Sequence, residues 1–187
     1  MNHKFIFIVI IIIVLTVIGA VFYTKRQTQE PSNNINVSDD LLASLPPDPG
    51  EAGKATLAGV DADGDGMRDD IERYIALTYP DSAKTRAALT QIALAIQAAL
   101  LDANDKGASV DHAIERLNAI RCLRYVRGSS EANSIFNTFR AQLLNTKERS
   151  IAYISADDQL GGQVFPGRPP ADQLKSTCTF DPDVMKN

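Results

Sequence analysis

An apolar segment near the start of the chain is the feature that most constrains its fold. Residues Phe5 to Tyr23 form a run of 19 residues that carries no charge and has only Thr16 and Gly19 outside the apolar set. At about 1.5 Å of rise per residue, a helix of this length spans the hydrocarbon core of a bilayer. Since such a segment suits a membrane better than a small soluble core, we expect residues 1–23 to be a transmembrane anchor or a signal peptide.

The two fates of this segment remain open. As a cleaved signal peptide it has Lys4 as its basic region and Ile18-Gly19-Ala20 as a weak cleavage site, and the protein is then secreted. The apolar run continues through Val21 to Tyr23, beyond the usual signal-peptide core, and this favours an uncleaved single-pass anchor. Basic residues flank both ends of the run, so the positive-inside rule does not decide its orientation.

Cys122 and Cys178, the only cysteines, bear on that orientation. An even number of cysteines behind an export-type segment is typical of a disulfide, and disulfides persist outside the cytoplasm. The alternative is a pair of buried free thiols. We predict a Cys122–Cys178 bridge and a main domain on the periplasmic or extracellular side of the cell membrane.

The remainder of the chain divides into a linker and one helical domain. Residues 24–50 are polar and rich in Asn, Ser and Pro, and they predict a flexible linker with one helical turn at Leu41 to Leu45 behind a Ser38 or Asp39 cap. Residues 51–187 carry apolar residues at helical spacing. They predict an all-α extracytoplasmic domain, a small bundle of about four helices followed by an irregular tail that the disulfide ties down.

Capping residues and apolar spacing place the four helices of this bundle. They are predicted to begin at Asp69 or Asp70, at Asp81 or Ser82, at Ser109, and at Ser129 or Ser130, with the last running on toward Ile154. The second helix carries the clearest apolar stripe: Leu89, Ile92, Ala93, Ile96, Ala99 and Leu100. The alanines of this helix also allow a partner-binding face, but its amphipathic spacing favours a core.

One stretch of the chain carries recognisable chemistry. Residues 61–72 read Asp-Ala-Asp-Gly-Asp-Gly-Met-Arg-Asp-Asp-Ile-Glu. Ca²⁺ takes six to eight oxygen ligands at about 2.3–2.6 Å, and carboxylates at alternate positions of a turning loop supply them. The predicted ligands are the side chains of Asp61, Asp63, Asp65 and Glu72, the backbone carbonyl of Met67, and Asp69 directly or through a water.

These twelve residues resemble EF-hand-type calcium loops, especially the DxDGDG form of thrombospondin type 3 repeats and dockerin-like modules. The resemblance covers residues 61–72 only and implies Ca²⁺ as a bound ion. Arg68 departs from the pattern, because paired EF-hands usually have an aliphatic residue there, and the sequence holds no second loop. A single loop is typical of extracellular structural sites, which bind Ca²⁺ at about 10⁻⁴ to 10⁻³ M. The competing interpretation is a solvated acidic turn that caps a helix.

The distribution of charge limits the classes of partner. The chain has 19 basic and 23 acidic residues, a balance that argues against a nucleic-acid-binding surface. Residues 61–72 hold six acidic residues and one basic residue, whereas the rest of residues 24–187 hold 17 of each. The acidity is therefore concentrated at the predicted cation site.

Catalytic motifs are not apparent in the sequence, and His112 is predicted to be a surface residue. The leading hypothesis is a membrane-anchored calcium-binding protein, not an enzyme, that acts as a structural or protein-interaction module of the cell envelope with a protein partner. One alternative is an envelope hydrolase with an acidic site near Glu115, Glu131 or Asp157. The other is a calcium-responsive switch.

Overall fold

A computed structural model of the protein describes residues 38–186, which form helices and no β-strand. This part of the chain holds six α-helices: α1 (Asp39–Ser44), α2 (Asp69–Thr78), α3 (Ala83–Leu101), α4 (Lys106–Arg127), α5 (Ser129–Leu143) and α6 (Lys147–Asp158). Two 3-10 helices, Gly50–Lys54 and Ala171–Thr177, lie before α2 and after α6. The predicted all-α class is confirmed for these residues, with more helices than the four expected.

No helix within residues 38–186 is long and apolar enough to cross a membrane. The segment predicted as an anchor or signal peptide, residues 1–23, lies outside the described residues, as does the linker up to residue 37. The anchor and its orientation therefore stay predictions.

Two helices begin at the predicted capping residues. The Ser38 hydroxyl accepts a hydrogen bond from the backbone N–H of Leu41 at the start of α1. The Ser82 hydroxyl accepts one from the N–H of Thr85 at the start of α3. Such caps satisfy N–H groups that have no acceptor within their own helix. Since serine is a favoured capping residue, these two helix starts can be predicted from the sequence.

The predicted start of α4 is wrong by three residues. The helix begins at Lys106, because the carboxylate of Asp105 accepts a hydrogen bond from the N–H of Ala108 at 3.0 Å and so caps the helix. Ser109, the predicted start, lies inside the first turn and is buried. An aspartate cap outweighs the presence of Gly107 in that turn.

The helix predicted to run from residue 129 toward Ile154 is two helices. α5 ends at Leu143, and the Thr146 hydroxyl caps a new helix by accepting a hydrogen bond from the N–H of Arg149 at 3.1 Å. This second start turns the chain and places Arg149 of α6 in the interior, where it is fully buried.

The hydrophobic core is built around α3, which packs against each of the helices α2, α4, α5 and α6. All six residues of its predicted apolar stripe are buried, each with at most 4% of its surface exposed. Phe139 of α5 joins the same core and stacks on Tyr74 of α2, with 5.9 Å between the ring centroids. The core interpretation is confirmed for this face of α3, whereas Leu94 and Leu101 on another face are exposed.

A disulfide and one glutamine hold the C-terminal segment against the bundle. Cys122 of α4 is bonded to Cys178, as predicted. Gln91 of α3 donates from Nε2 to the carbonyl of Thr177 at 2.9 Å and accepts at Oε1 from the N–H of Thr179 at 3.2 Å. The segment is therefore fixed to both central helices.

Candidate metal centre

The acidic loop curls so that three of its predicted ligands meet. Asp61, Asp63 and Asp65 each place one carboxylate oxygen within 4.8 Å of the others, and all three residues are exposed to solvent. Two oxygens bound to one Ca²⁺ ion can be at most about 5 Å apart. The three aspartates therefore have the spacing that a shared cation requires.

Backbone N–H groups of the loop hold these carboxylates in place. The Asp61 carboxylate accepts hydrogen bonds from Gly64 at 2.8 Å and from Gly66 at 3.0 Å, and the Asp65 carboxylate accepts one from Met67 at 2.7 Å. Gly64 and Gly66 have φ angles of 76° and 89°, a conformation that favours glycine. The alternation of Asp and Gly in the sequence is thus what lets the loop fold around its own carboxylates.

Two further predicted ligands hold the loop in place: Asp69 closes it on itself, and Met67 packs into the core. Asp69 is 2% exposed, and its Oδ1 accepts a hydrogen bond from Ala62 while its own N–H donates to the carbonyl of Val60, both at 2.9 Å. The Met67 side chain is 4% exposed and belongs to the hydrophobic core. From sequence, Met67 is predicted to supply only a backbone carbonyl, so this packing role of its side chain was missed.

Glu72 lies in the first turn of α2 and has one carboxylate oxygen without a partner. Its Oε2 is buried and accepts no hydrogen bond from any described residue. The pKa of its carboxyl is raised, first by burial and then by the negative charges of Asp63, Asp65, Asp69 and Asp61. A buried oxygen without a donor is energetically costly, and a cation beside it would remove that cost. Glu72 does not itself belong to the close set of three aspartates.

Arg68, the residue that departs from the EF-hand pattern, attaches the loop to the bundle. It is 1% exposed, and its Nε donates to Asp70 at 2.9 Å. Its Nη1 donates to the side chain of Gln97 on α3 at 3.3 Å and to the carbonyl of Leu143 at 3.1 Å. The loop therefore ends on a buried, fully bonded arginine that joins it to α3 and α5.

A second buried arginine, Arg149 of α6, fixes the segment that precedes the loop. Its guanidinium donates to the carbonyls of Gly53 at 2.6 Å, Thr56 at 2.9 Å and Leu57 at 3.3 Å. Its pKa is lowered, first by burial and then by the positive charge of Arg68. Sequence reasoning missed the burial of both arginines, because arginine side chains usually lie at the surface.

The other residues considered for chemistry lie in separate ion pairs. The half-buried ring of His112 contacts Asp102 through Nε2 at 2.9 Å and Glu115 through Nδ1 at 3.2 Å. Glu131 and Asp157 each form an ion pair with a different arginine. Within the described residues, the three acidic positions suggested for a hydrolase thus have three different partners.

Compared with known proteins, the chain matches no family model, no curated protein and no solved structure. The interpretation of the acidic loop therefore depends on its own chemistry. That chemistry consists of three converging aspartates, a buried oxygen of Glu72 without a donor, and two buried arginines that fix the loop at both ends.

Proposed function

We propose that this protein is a membrane-anchored, extracytoplasmic helical module that binds one Ca²⁺ as a structural ion and works through a protein partner in the cell envelope. Two observations carry the proposal: Asp61, Asp63 and Asp65 converge, and Glu72, whose carboxyl feels the charges of these aspartates, has a buried oxygen without a partner among the described residues. Oxygen ligands without sulfur or imidazole suit a hard cation such as Ca²⁺.

The ligands of this ion are assigned by their chemistry. Asp61, Asp63, Asp65 and Glu72 supply carboxylate oxygens, and Met67 supplies its backbone carbonyl. Asp69 already accepts a hydrogen bond at Oδ1, so it acts through its other oxygen or through a water. The bound ion supplies positive charge that offsets the repulsion among these carboxylates.

The way the loop is attached explains why one ion would stabilise the whole domain. Met67 and Arg68 connect the loop directly to the core and to α3, while Arg149 holds the segment before it. Ordering the loop therefore also orders contacts among α2, α3, α5 and α6. Binding that occurs only in the folded state stabilises it by mass action.

The location in the envelope is proposed from two features. The apolar run Phe5–Tyr23 has the length of a membrane-spanning helix, and the Cys122–Cys178 disulfide is typical of an oxidising compartment. Extracellular calcium concentrations also suit a single loop that binds in the range of about 10⁻⁴ to 10⁻³ M.

Thermal unfolding of the full-length protein in a non-ionic detergent tests the calcium assignment. For that affinity range, 10 mM CaCl₂ should stabilise the fold by about 1.4–2.7 kcal/mol relative to EGTA. For a domain of this size the shift in Tm is about 3–10 °C. An equal concentration of Mg²⁺ should give a smaller shift, because Mg²⁺ demands tighter octahedral geometry.

Glu72→Gln is the decisive variant. It should lose most of the calcium-dependent shift, yet in EGTA it should be no less stable than the wild type, because the charge it removes is repelled by four aspartates. Asp111→Asn, which neutralises an exposed acid on α4, is the matched control and should keep the full shift. A wild-type Tm that is equal in Ca²⁺ and EGTA would show that the loop is only an acidic turn, and a full shift in Glu72→Gln would show that Glu72 is not a ligand of the ion.

A further inference from the structure

A groove of about 950 Å³ runs along the exposed face of α3. Its residues on α3 include Ala87, Leu94, Ala98 and Leu101. It is also lined by α4, by the segment 176–180 that the disulfide holds, and by Gly66 of the acidic loop. The exposed side chains of Leu94 and Leu101 on this surface belong neither to the core nor to the proposed ligand set.

The sides of this groove are fixed before any partner arrives. Gln91 holds the segment 176–180 through two hydrogen bonds, in addition to the disulfide at Cys178. At the other side of the groove the acidic loop lies close to Leu94. A Cβ atom built on Gly66 would be 3.5 Å from Cδ2 of Leu94. A pre-formed surface loses little conformational entropy on binding.

The apolar residues of the groove have the spacing of a helix-packing face. Leu94 is 38% exposed and Leu101 is 54% exposed, and they lie two turns apart on the same side of α3. Ala98 lies between the two leucines and Ala87 lies two turns before Leu94, and both are small, so the backbone of a second helix can approach closely along this face. From residue 87 to residue 101 the face is about 21 Å long, enough for four turns of a partner helix.

The charge around the groove selects the partner. Among the described residues that line the groove, Glu115 is the only charged one, and its side chain is 62% exposed. Next to Gly66, the loop exposes Asp61, Asp63 and Asp65, and residues 61–72 keep a negative balance even with one Ca²⁺ bound. A second copy of this chain would bring two acidic rims together, and nucleic acid would be repelled.

We infer that the groove binds an amphipathic helix of a partner protein, with apolar side chains two turns apart and Lys or Arg residues at its flanks. The apolar side chains pack around Leu94 and Leu101, and the basic residues face Glu115 and the acidic loop. This inference deepens the proposed function, since it names the chemistry of the envelope partner, but it does not depend on the identity of the loop's ion.

Photocrosslinking with synthetic peptides tests the inference. The probe is an 18-residue Leu/Lys amphipathic helix with a benzophenone on its apolar face, and the matched probe replaces Lys with Glu. Both are mixed with the full-length protein in non-ionic detergent with 10 mM CaCl₂. Mass spectrometry should locate the adducts of the Leu/Lys peptide on the residues that line the groove and find at least tenfold less product with the Leu/Glu peptide.

Matched variants distinguish binding in the groove from nonspecific hydrophobic binding elsewhere on the surface. Leu94→Asp and Leu101→Asp should each lower the crosslinking yield at least tenfold, because each places a carboxylate where an apolar side chain must be buried. Ile154→Asp on α6 alters a residue that is 60% exposed and should leave the yield unchanged. Circular dichroism melts should show that all three variants keep the fold, since the altered side chains lie at the surface.

Each contrary result overturns the inference. Equal labelling by both peptides, adducts outside the residues that line the groove (residue 66, α3 from 87 to 101, α4 at 115 and 118, and the segment 176–180), or equal losses in Leu94→Asp and Ile154→Asp would mean that the groove is not a basic-helix site. A dimer in sedimentation that Leu94→Asp dissociates would assign the groove to a second copy instead. If crosslinking fails while the calcium shift in Tm persists, only the groove assignment is wrong; if the calcium shift is absent while crosslinking succeeds, only the proposed ion is wrong.

Discussion

Replacing Arg149 by methionine should strongly destabilise the domain, although Arg149 has no carboxylate partner within residues 38–186. The side chain is fully buried and donates four hydrogen bonds: to the carbonyls of Gly53, Thr56 and Leu57, and to Oδ1 of Asn145 at 2.6 Å. Methionine fills much of the same volume but donates nothing. The three carbonyls and the Asn145 side chain therefore all lose their hydrogen-bond donor in a single substitution.

The size of the effect depends on which acceptors water can reach. Gly53 is buried, so its carbonyl loses its donor without replacement, at a cost of about 1–3 kcal/mol. Thr56 is exposed and Leu57 half-buried, so their carbonyls recover part of the loss by binding water. The methionine variant also avoids the desolvation cost of burying the guanidinium charge, and this offsets a further part of the lost stability. We expect a net loss of about 3 kcal/mol in the free energy of unfolding, or about 6–12 °C in Tm.

Urea unfolding followed by circular dichroism measures this loss. Arg149→Lys should fall between the wild type and Arg149→Met, because an ammonium keeps the charge but cannot reach three carbonyls in one plane. Arg124→Met is the control, since Arg124 makes a single exposed hydrogen bond to Asn133, and it should change stability by less than about 0.5 kcal/mol. A loss in Arg149→Met no larger than in this control would refute the reasoning.

Two further predictions concern the disulfide and the histidine. Replacing Cys122 and Cys178 together by serine should cost about 4 kcal/mol in urea unfolding, the chain-entropy value for a sequence separation of 56, and a loss below about 1 kcal/mol would contradict it. Burial opposes protonation of His112, but hydrogen bonds to two carboxylates outweigh it and raise its pKa above 6.5. Protonated His112 therefore stabilises the folded state fully below pH 6.5, and this contribution is lost as the pH rises through the folded-state pKa of His112. The Tm difference between wild type and His112→Gln should accordingly shrink from pH 5.5 to 8.5. A difference that is constant or grows over this range would show that His112 is not stabilised by its charge.

Features encoded by neighbouring residues were predictable. The Ser38 and Ser82 caps act within three residues of themselves, and the buried stripe of α3 repeats at helical spacing, so both follow from local patterns. The convergence of Asp61, Asp63 and Asp65 has the same origin, because glycines and Asp side chains within one short loop set its geometry. The end of α5 was missed, because the apolar pattern continues across the break that Thr146 creates.

The sequence by itself therefore determined the all-α class of the described residues, the cysteine pair and the acidic loop, whereas the membrane or signal role of the 19-residue apolar run stays a prediction. Only the tertiary structure decided how the loop is attached and which face of α3 stays open. Arg149 bonds to residues 92 to 96 positions earlier in the chain, and Arg68 bonds to Gln97 and Leu143. Spacing within a helix cannot reveal such contacts, because burying a charge is favourable only where distant carbonyls and carboxylates converge to receive it.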